Sequence, residues 1–216
     1  MLKKPLEPDA GTEAKQTKPR TPPRNPGSTW TPPKDEETAE GFAGQAMDTL
    51  TRLEREQISW RLDTSEVYRA NASASSKEGF LLSEELSELL ESCQLLWERS
   101  DGAFDVTLGA AIQLWNIDKW EAVEDFQPPS EEELARALAT CGSQRMRLVQ
   151  ETSAGQLRLF LPKGTQLDLG AVGKGLAMEK LNRLLTQSPD VTGAVISLGG
   201  SILTYGSKPD NSPWRV

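Results

Sequence analysis

Residues Gln166-Leu-Asp-Leu-Gly-Ala-Val-Gly-Lys-Gly-Leu176 constrain this chain more than any other stretch. Leu167 and Leu169 alternate with Asp168, which is the period of a strand. Glycines come next at 170, 173 and 175. A helical pattern then begins, with Leu176, Ala177, Lys180, Leu181, Leu184 and Leu185 on one face. A carboxylate at a strand end, a glycine turn and a lysine at a helix start suit an anionic, phosphate-bearing ligand. Glycine lets backbone N–H groups approach closely, and a helix N-terminus favours negative charge. The spacing is neither GxxxxGK[ST] nor GxGxxG. Taken alone, the same pattern also describes an ordinary strand–helix turn with a surface lysine.

Histidine is absent from the 216 residues. Ser-His-Asp and Cys-His mechanisms are therefore excluded within this chain, and proton transfer falls to Asp, Glu, Lys, Tyr or a metal-bound group. The net charge of −8 argues against a general nucleic-acid binder. A mean hydropathy of −0.50 predicts a modest core. No apolar run approaches the ~20 residues of a membrane span, and no apolar segment comes after Lys3-Lys4 as a secretory signal would require. Cys93 falls in a leucine-rich helix and reads as a small buried apolar group. Cys141 precedes Gly142 at a helix end.

Eight of the 14 prolines lie before residue 34, where apolar side chains are scarce, so residues 1–34 are expected to form a disordered, basic tail. Residues 35–216 form one domain. Phe42, Ala46, Leu50, Leu53 and Ile58 predict a helix ending near Ser59-Trp60. Thr64 or Ser65 caps a short helix carrying Val67, Tyr68 and Ala70. The 81–98 segment is the clearest helix. Ser83 is its cap and Leu86, Leu89, Leu90, Cys93, Leu96 and Trp97 its buried stripe, while Glu84, Glu85, Glu88 and Glu91 make a solvated face. Ala110–Trp115 reads as a short buried helix, and Ser130 with Glu133 as a capping box. Met146–Gln150 and Leu157–Leu161 alternate as a hairpin around Ser153–Gly155. Val191–Ser197 and Ser201–Tyr205 are further strands, and Pro213–Val216 begins another. Helices first and a mostly antiparallel sheet with a crossover helix second give an α+β fold. Two side chains stay open on these grounds. Trp60 either plugs the core or walls a ring ligand. Asp105, between Phe104 and Val106, is either a helix cap or a buried carboxylate in need of donors.

With these segments in order, the chain resembles the ApbE-type flavin transferases, FAD:protein FMN transferases. Gln57-Ile-Ser-Trp60 together with Ser65-Glu66 and Asn71 is similar to that family's "S-x-W/Y … SE … N" segment. Gly102-Ala-Phe-Asp-Val-Thr107 with Leu114-Trp115 is similar to "GxFD-x-T … LW". Leu167-Asp-Leu-Gly-Ala-Val-Gly-Lys-Gly175 is similar to "DLGGIAKG". Ala194-Val-Ile-Ser-Leu-Gly-Gly200, with Gly206 and Pro213-Trp214, is similar to the "LGG" strand and the segment after it. The match runs from about residue 45 onward, and its specificity lies in the combination.

The resemblance implies a layered, T-fold-like architecture and transfer of FMN from FAD to a Thr or Ser hydroxyl of a target flavoprotein, with release of AMP. Targets in that family are redox-pump or electron-transfer subunits, and members are often periplasmic or lipid-anchored. It implies that Trp60, Ala103, Phe104, Asp105, Asp168, Lys174, Gly199 and Gly200 contact FAD, with Asp168 and Lys174 catalytic. It further implies that the Ala171 carbonyl faces a magnesium ion (Mg2+). The family's "MGT" strand is not seen here, and Ser201 stands where an acidic residue is usual. The family's remaining metal ligands and its histidine region correspond to positions past Val216, so a domain incomplete at the C-terminus is expected. The alternative is a catalytically weak or inactive FAD-binding or scaffold protein of the same fold.

Overall fold

The computed structural model describes residues 34–116, 127–151, 156–208 and 210–216. Apart from Lys34, the expected tail lies outside them, as do Trp120, Phe126 and the turn at 153–155. Helix α1, Lys34–Arg52, runs into a π-helical turn, Leu53–Ile58, that ends the predicted first helix at Ser59. Helix α2, Glu66–Ala72, is capped by the Ser65 hydroxyl. That hydroxyl also donates to the Gln57 carbonyl at 3.0 Å, and Thr64 donates to the Arg55 carbonyl at 2.7 Å, so the two hydroxyls tie the π-turn to α2.

Strand β1, Phe80–Leu81, leads to α3, Glu84–Arg99, capped by Ser83. Leu86, Leu90 and Cys93 are buried as expected, and burial pushes the Cys93 thiol up to about 11. Leu96 is a correction: it is 46% exposed, because the last turns of α3 run past the edge of the core. Glu85 is another. Its carboxylate takes Lys180 and the Gln57 amide together, which joins α3 to the π-turn and to α6, Gly170–Thr186. Burial opposes its charge, but hydrogen bonds from Lys180 and Gln57 outweigh that and hold the carboxyl below the usual range.

Helix α4, Gly109–Trp115, buries only Gly109 and Ala111, and Ile112 and Leu114 stay exposed. A 7-residue helix on the surface has one face to hide, so the expectation of a wholly buried segment fails. Helix α5, Glu131–Leu138, carries both halves of the Ser130–Glu133 capping box. Strands β2, Arg147–Gln150, and β3, Leu157–Phe160, form the predicted hairpin. β1 adds antiparallel to β3, giving the order β1-β3-β2.

Strands β4, Gly193–Leu198, and β5, Ser201–Gly206, form a separate antiparallel pair. The described residues therefore hold two sheets, and α6 connects them instead of crossing over within one. β4 is half-exposed, with Val195 at 49%; among the described elements the main neighbour of the two-stranded ribbon is α6, which packs on β5. Pro213–Val216 is not a strand. Trp214 folds back instead, its indole N–H donating to the Gly206 carbonyl at 3.1 Å. The core lies between α2, α3 and the three-stranded sheet, and Leu167 and Leu169 enter it from the segment before α6. Mixed helices and antiparallel strands in this order are the expected α+β fold.

Candidate functional site

The stretch before α6 is extended but is not a strand of either sheet. A single parallel bridge joins Gln166 to Leu108, and the Asp168 N–H donates to the Val106 carbonyl at 2.8 Å. Asn71 supplies the other side of the ladder from its side chain. Its amide oxygen accepts from the Leu167 N–H at 2.7 Å, and its amide nitrogen donates to the Leu167 carbonyl at 3.0 Å. Leu167 and Leu169 are thereby pinned inward and Asp168 is turned to the half-exposed side.

Asp168 stands just before α6. One carboxylate oxygen accepts from the Gly170 N–H at 2.8 Å, and the other has no hydrogen bond among the described residues. The Val172 and Gly173 N–H groups both turn back to the Leu169 carbonyl. The helix N-terminus is thus mostly satisfied internally, and of its first four N–H groups only that of Ala171 lacks an internal acceptor among the described residues. Gly173 has a packing reason: a Cβ there would sit 3.0 Å from Ile58 Cδ1, so α6 lies close against the π-turn. One turn into the helix, the Lys174 ammonium reaches the Gly199 carbonyl at 3.5 Å. Gly199 and Gly200 have φ of +51° and +92°, the left-handed conformations that a two-residue hairpin turn demands. Ala171 and Lys174 therefore follow Asp168 in the first turns of α6, and Lys174 reaches across to the Gly199–Gly200 turn.

Asp105 takes a different part. Its carboxylate accepts from the Thr107 N–H at 2.8 Å, the Thr107 hydroxyl at 2.6 Å, the Ser143 hydroxyl at 2.7 Å and the Ser143 N–H at 3.0 Å. Thr107 in turn accepts from the Gly142 N–H at 2.7 Å. Burial works against the charge, but the hydrogen bonds from Thr107 and Ser143 prevail and hold this carboxyl below the usual aspartate range. The helix-cap reading of Asp105 fails, because the cap position of α4 is Leu108 and no side chain caps it; the carboxylate supplied with donors is what the fold holds. Four internal donors leave it little capacity for a ligand. Of its neighbours, Phe104 packs against the core and Ala103 is exposed.

A cleft of about 640 Å3 opens beside these segments. Trp60 and Arg61 form one wall, the guanidinium carbon 4.4 Å from the indole centroid. Tyr68, Asn71, Gln113, Asn116 and Gln166 complete it, with the Gln113 amide donating to Gln166 at 2.5 Å. Trp60 also packs against the core, which is the first of its sequence readings, while its place in the cleft wall leaves the second open to a ligand. Among the residues expected to contact FAD, Trp60 alone lines this cleft. Nothing in the sequence marks these amides as ligands. They are scattered along the chain from Asn71 to Gln166 and share no spacing, and the one local signal is the left-handed Asn116 that ends α4.

The ApbE family pattern matches residues 27–216. This chain belongs to the ApbE family. An FAD:protein FMN transferase of Treponema pallidum is 33% identical over 162 residues, which is 74% of this chain and 43% of the relative. One of Klebsiella pneumoniae is 27% identical over 84% of this chain and 50% of its own length. The flavin transferase ApbE of Vibrio cholerae superposes with a TM-score of 0.68 at 26% identity, covering 89% of this chain and 57% of that one. The ApbE protein of Thermotoga maritima reaches 0.69 at 24% identity, over 81% of this chain and 54% of its own, and supports the fold. The chain spans about half the length of the relatives it matches.

Membership in the ApbE family raises the question of magnesium. The ion takes a near-octahedral set of oxygens and retains waters. The described residues hold no group of three or more His, Cys, Asp or Glu able to hold a metal. Ala171 lies in the first turn of α6, with Asp168 as the nearby carboxylate in sequence. One carbonyl and one carboxylate do not compose a magnesium site, so the donor set described here does not fit the ion.

Proposed function

We propose that this chain serves FAD:protein FMN transfer, moving FMN from FAD to a Thr or Ser hydroxyl of an acceptor flavoprotein with release of AMP. The observation that carries the reading is the convergence at the start of α6: Asp168 with one oxygen unbonded among the described residues, and Lys174 reaching the Gly199–Gly200 turn. The Trp60–Arg61 wall offers a flat face for a flavin or adenine ring. In the transfer, the acceptor oxygen bonds to the FMN phosphorus, the bond to the bridging pyrophosphate oxygen breaks, and AMP departs. Lys174 spreads the developing phosphoryl charge. The unbonded oxygen of Asp168 takes the hydroxyl proton. Asp105 holds the 102–107 turn in place, leaving Ala103 and Phe104 as that segment's contacts with FAD. The acceptor is a redox-pump or electron-transfer subunit.

A second reading, FAD binding without efficient transfer, is favoured by one observation: the described donors do not fit magnesium. Incubation with FAD, magnesium and a threonine peptide separates the two. An FMN–peptide adduct supports transfer. FAD binding without adduct supports the second reading, and absence of both overturns each. FAD affinity measured by flavin fluorescence is expected to change less than about twofold on adding EDTA, because no described ligand cluster depends on a cation. Asp168→Asn keeps the acceptor for Gly170 and replaces the unbonded oxygen. It is expected to weaken FAD by about 1 kcal/mol with little change in Tm. A lowered Tm with unchanged affinity would assign Asp168 to the fold alone.

A further inference from the structure

A second groove, of about 360 Å3, lies on the three-stranded sheet, lined by Lys77, Arg145, Arg147, Phe160, Leu161 and Ser75 among others. It shares no lining residue with the Trp60 cleft, so a role for this groove stands independently of the FAD reading. Elsewhere Arg158 pairs with Glu151, Arg183 with Glu179 and Lys180 with Glu85. Lys77, Arg145 and Arg147, like Arg52, Arg69 and Arg99, make no ion pair among the described residues, and what sets these three apart is that they lie exposed on one groove. Three unpaired like charges repel one another and do not help the fold.

Two of them are also held in place. Arg147 lies over the Phe160 ring, Cζ 4.7 Å from the centroid, across the β2–β3 register. A guanidinium stacked on a ring keeps its in-plane donors for a planar acceptor. Arg145 donates one N–H to the Ala139 carbonyl at 2.5 Å, which fixes its position and leaves its other donors. The groove floor is apolar, from Phe160, Leu161 and Pro162.

We propose that this groove docks an acidic polypeptide segment of a partner protein. Carboxylates of that segment pair with Lys77, Arg145 and Arg147, and an apolar side chain lies against Phe160 and Leu161. Forked guanidinium donors match carboxylates in two-bond geometry. A net charge of −8 repels a long polyanion such as nucleic acid, whereas a short acidic segment meets only the local positive field.

The test is fluorescence anisotropy with a labelled peptide alternating glutamate and leucine. Saturable binding that weakens with salt is expected. It should fall about tenfold in the double variant Arg145→Gln/Arg147→Gln and about threefold in Lys77→Gln, a loop substitution that leaves the sheet intact. Arg52→Gln on α1 should leave it unchanged, and FAD affinity should not move in any of these variants. No saturable binding overturns the proposal. So does equal weakening by Arg52→Gln, which would show general charge attraction, or equally tight binding of a single-stranded oligonucleotide.

Discussion

Asp105→Ala is expected to lower the stability of the folded chain by about 3 kcal/mol, the upper end for hydrogen bonds to a charged group. For a domain of this size that is a fall in Tm of roughly 6–12 °C. The substitution leaves the Ser143 N–H and the Thr107 and Ser143 hydroxyls without their acceptor, and Ser143 and Thr107 are both fully buried. The turn at 102–107 and the short helical turn Ser143–Arg145 before β2 then lose the group that joins them. Thermal unfolding across pH gives a second readout. The folded carboxyl lies below its ordinary value, so its stabilisation is complete above the ordinary aspartate pKa and is lost as pH falls through the lowered one. The variant should show a shallower loss of Tm on acidification than the parent chain. An unchanged Tm would mean the knot contributes nothing net, and would return Asp105 to the list of FAD contacts.

Trp60→Ala is expected to weaken FAD by about 2 kcal/mol, or roughly 30-fold in Kd, the scale measured for one aromatic stacked on one base. The residue is half-buried, packed against the core on one side and forming the cleft wall on the other. Truncation to alanine therefore costs stability as well, and Trp60→Phe is the variant that separates the effects. It retains a ring for both tasks, so affinity should fall less than about fivefold. If Trp60→Ala lowers Tm while FAD affinity measured below the transition stays at the parent value, the indole serves the core alone and the ligand ring lies elsewhere.

Asp105 and Trp60 each kept two readings in the sequence, and tertiary contacts decided for Asp105 the carboxylate supplied with donors and put Trp60 against the core at the edge of a cleft. Other elements needed no such contacts. The helices with cap and period in register, α3 and α5, are local events and arise from nearest-neighbour chemistry. Ser83 and the Ser130–Glu133 box sit where their sequence places them. The β2–β3 hairpin comes from alternation. Burial at helix ends does not. Leu96 obeys the periodic pattern of α3 yet faces water, because the neighbours that would cover it are set by where the core stops. Glu85 has the composition of a solvated face and becomes a three-way tie once α6 brings Lys180 beside it.

The site divides in the same way. The order of motifs determined the family and the fold, and it placed Asp168, Lys174 and the Gly199–Gly200 turn on adjoining elements. A carboxylate, a lysine and a left-handed turn at strand and helix ends are short-range features that survive any tertiary arrangement. Only the tertiary structure decided what those groups have left to give. It consumed Asp105 on Thr107 and Ser143, and it turned the Val172 and Gly173 N–H groups back on the Leu169 carbonyl. It left one oxygen of Asp168 without a partner among the described residues, and it gathered Trp60, Tyr68, Asn71, Gln113 and Gln166 around one cleft. The physical reason is that a side chain's remaining hydrogen-bonding capacity depends on partners far away in sequence, and those partners meet only when the core closes.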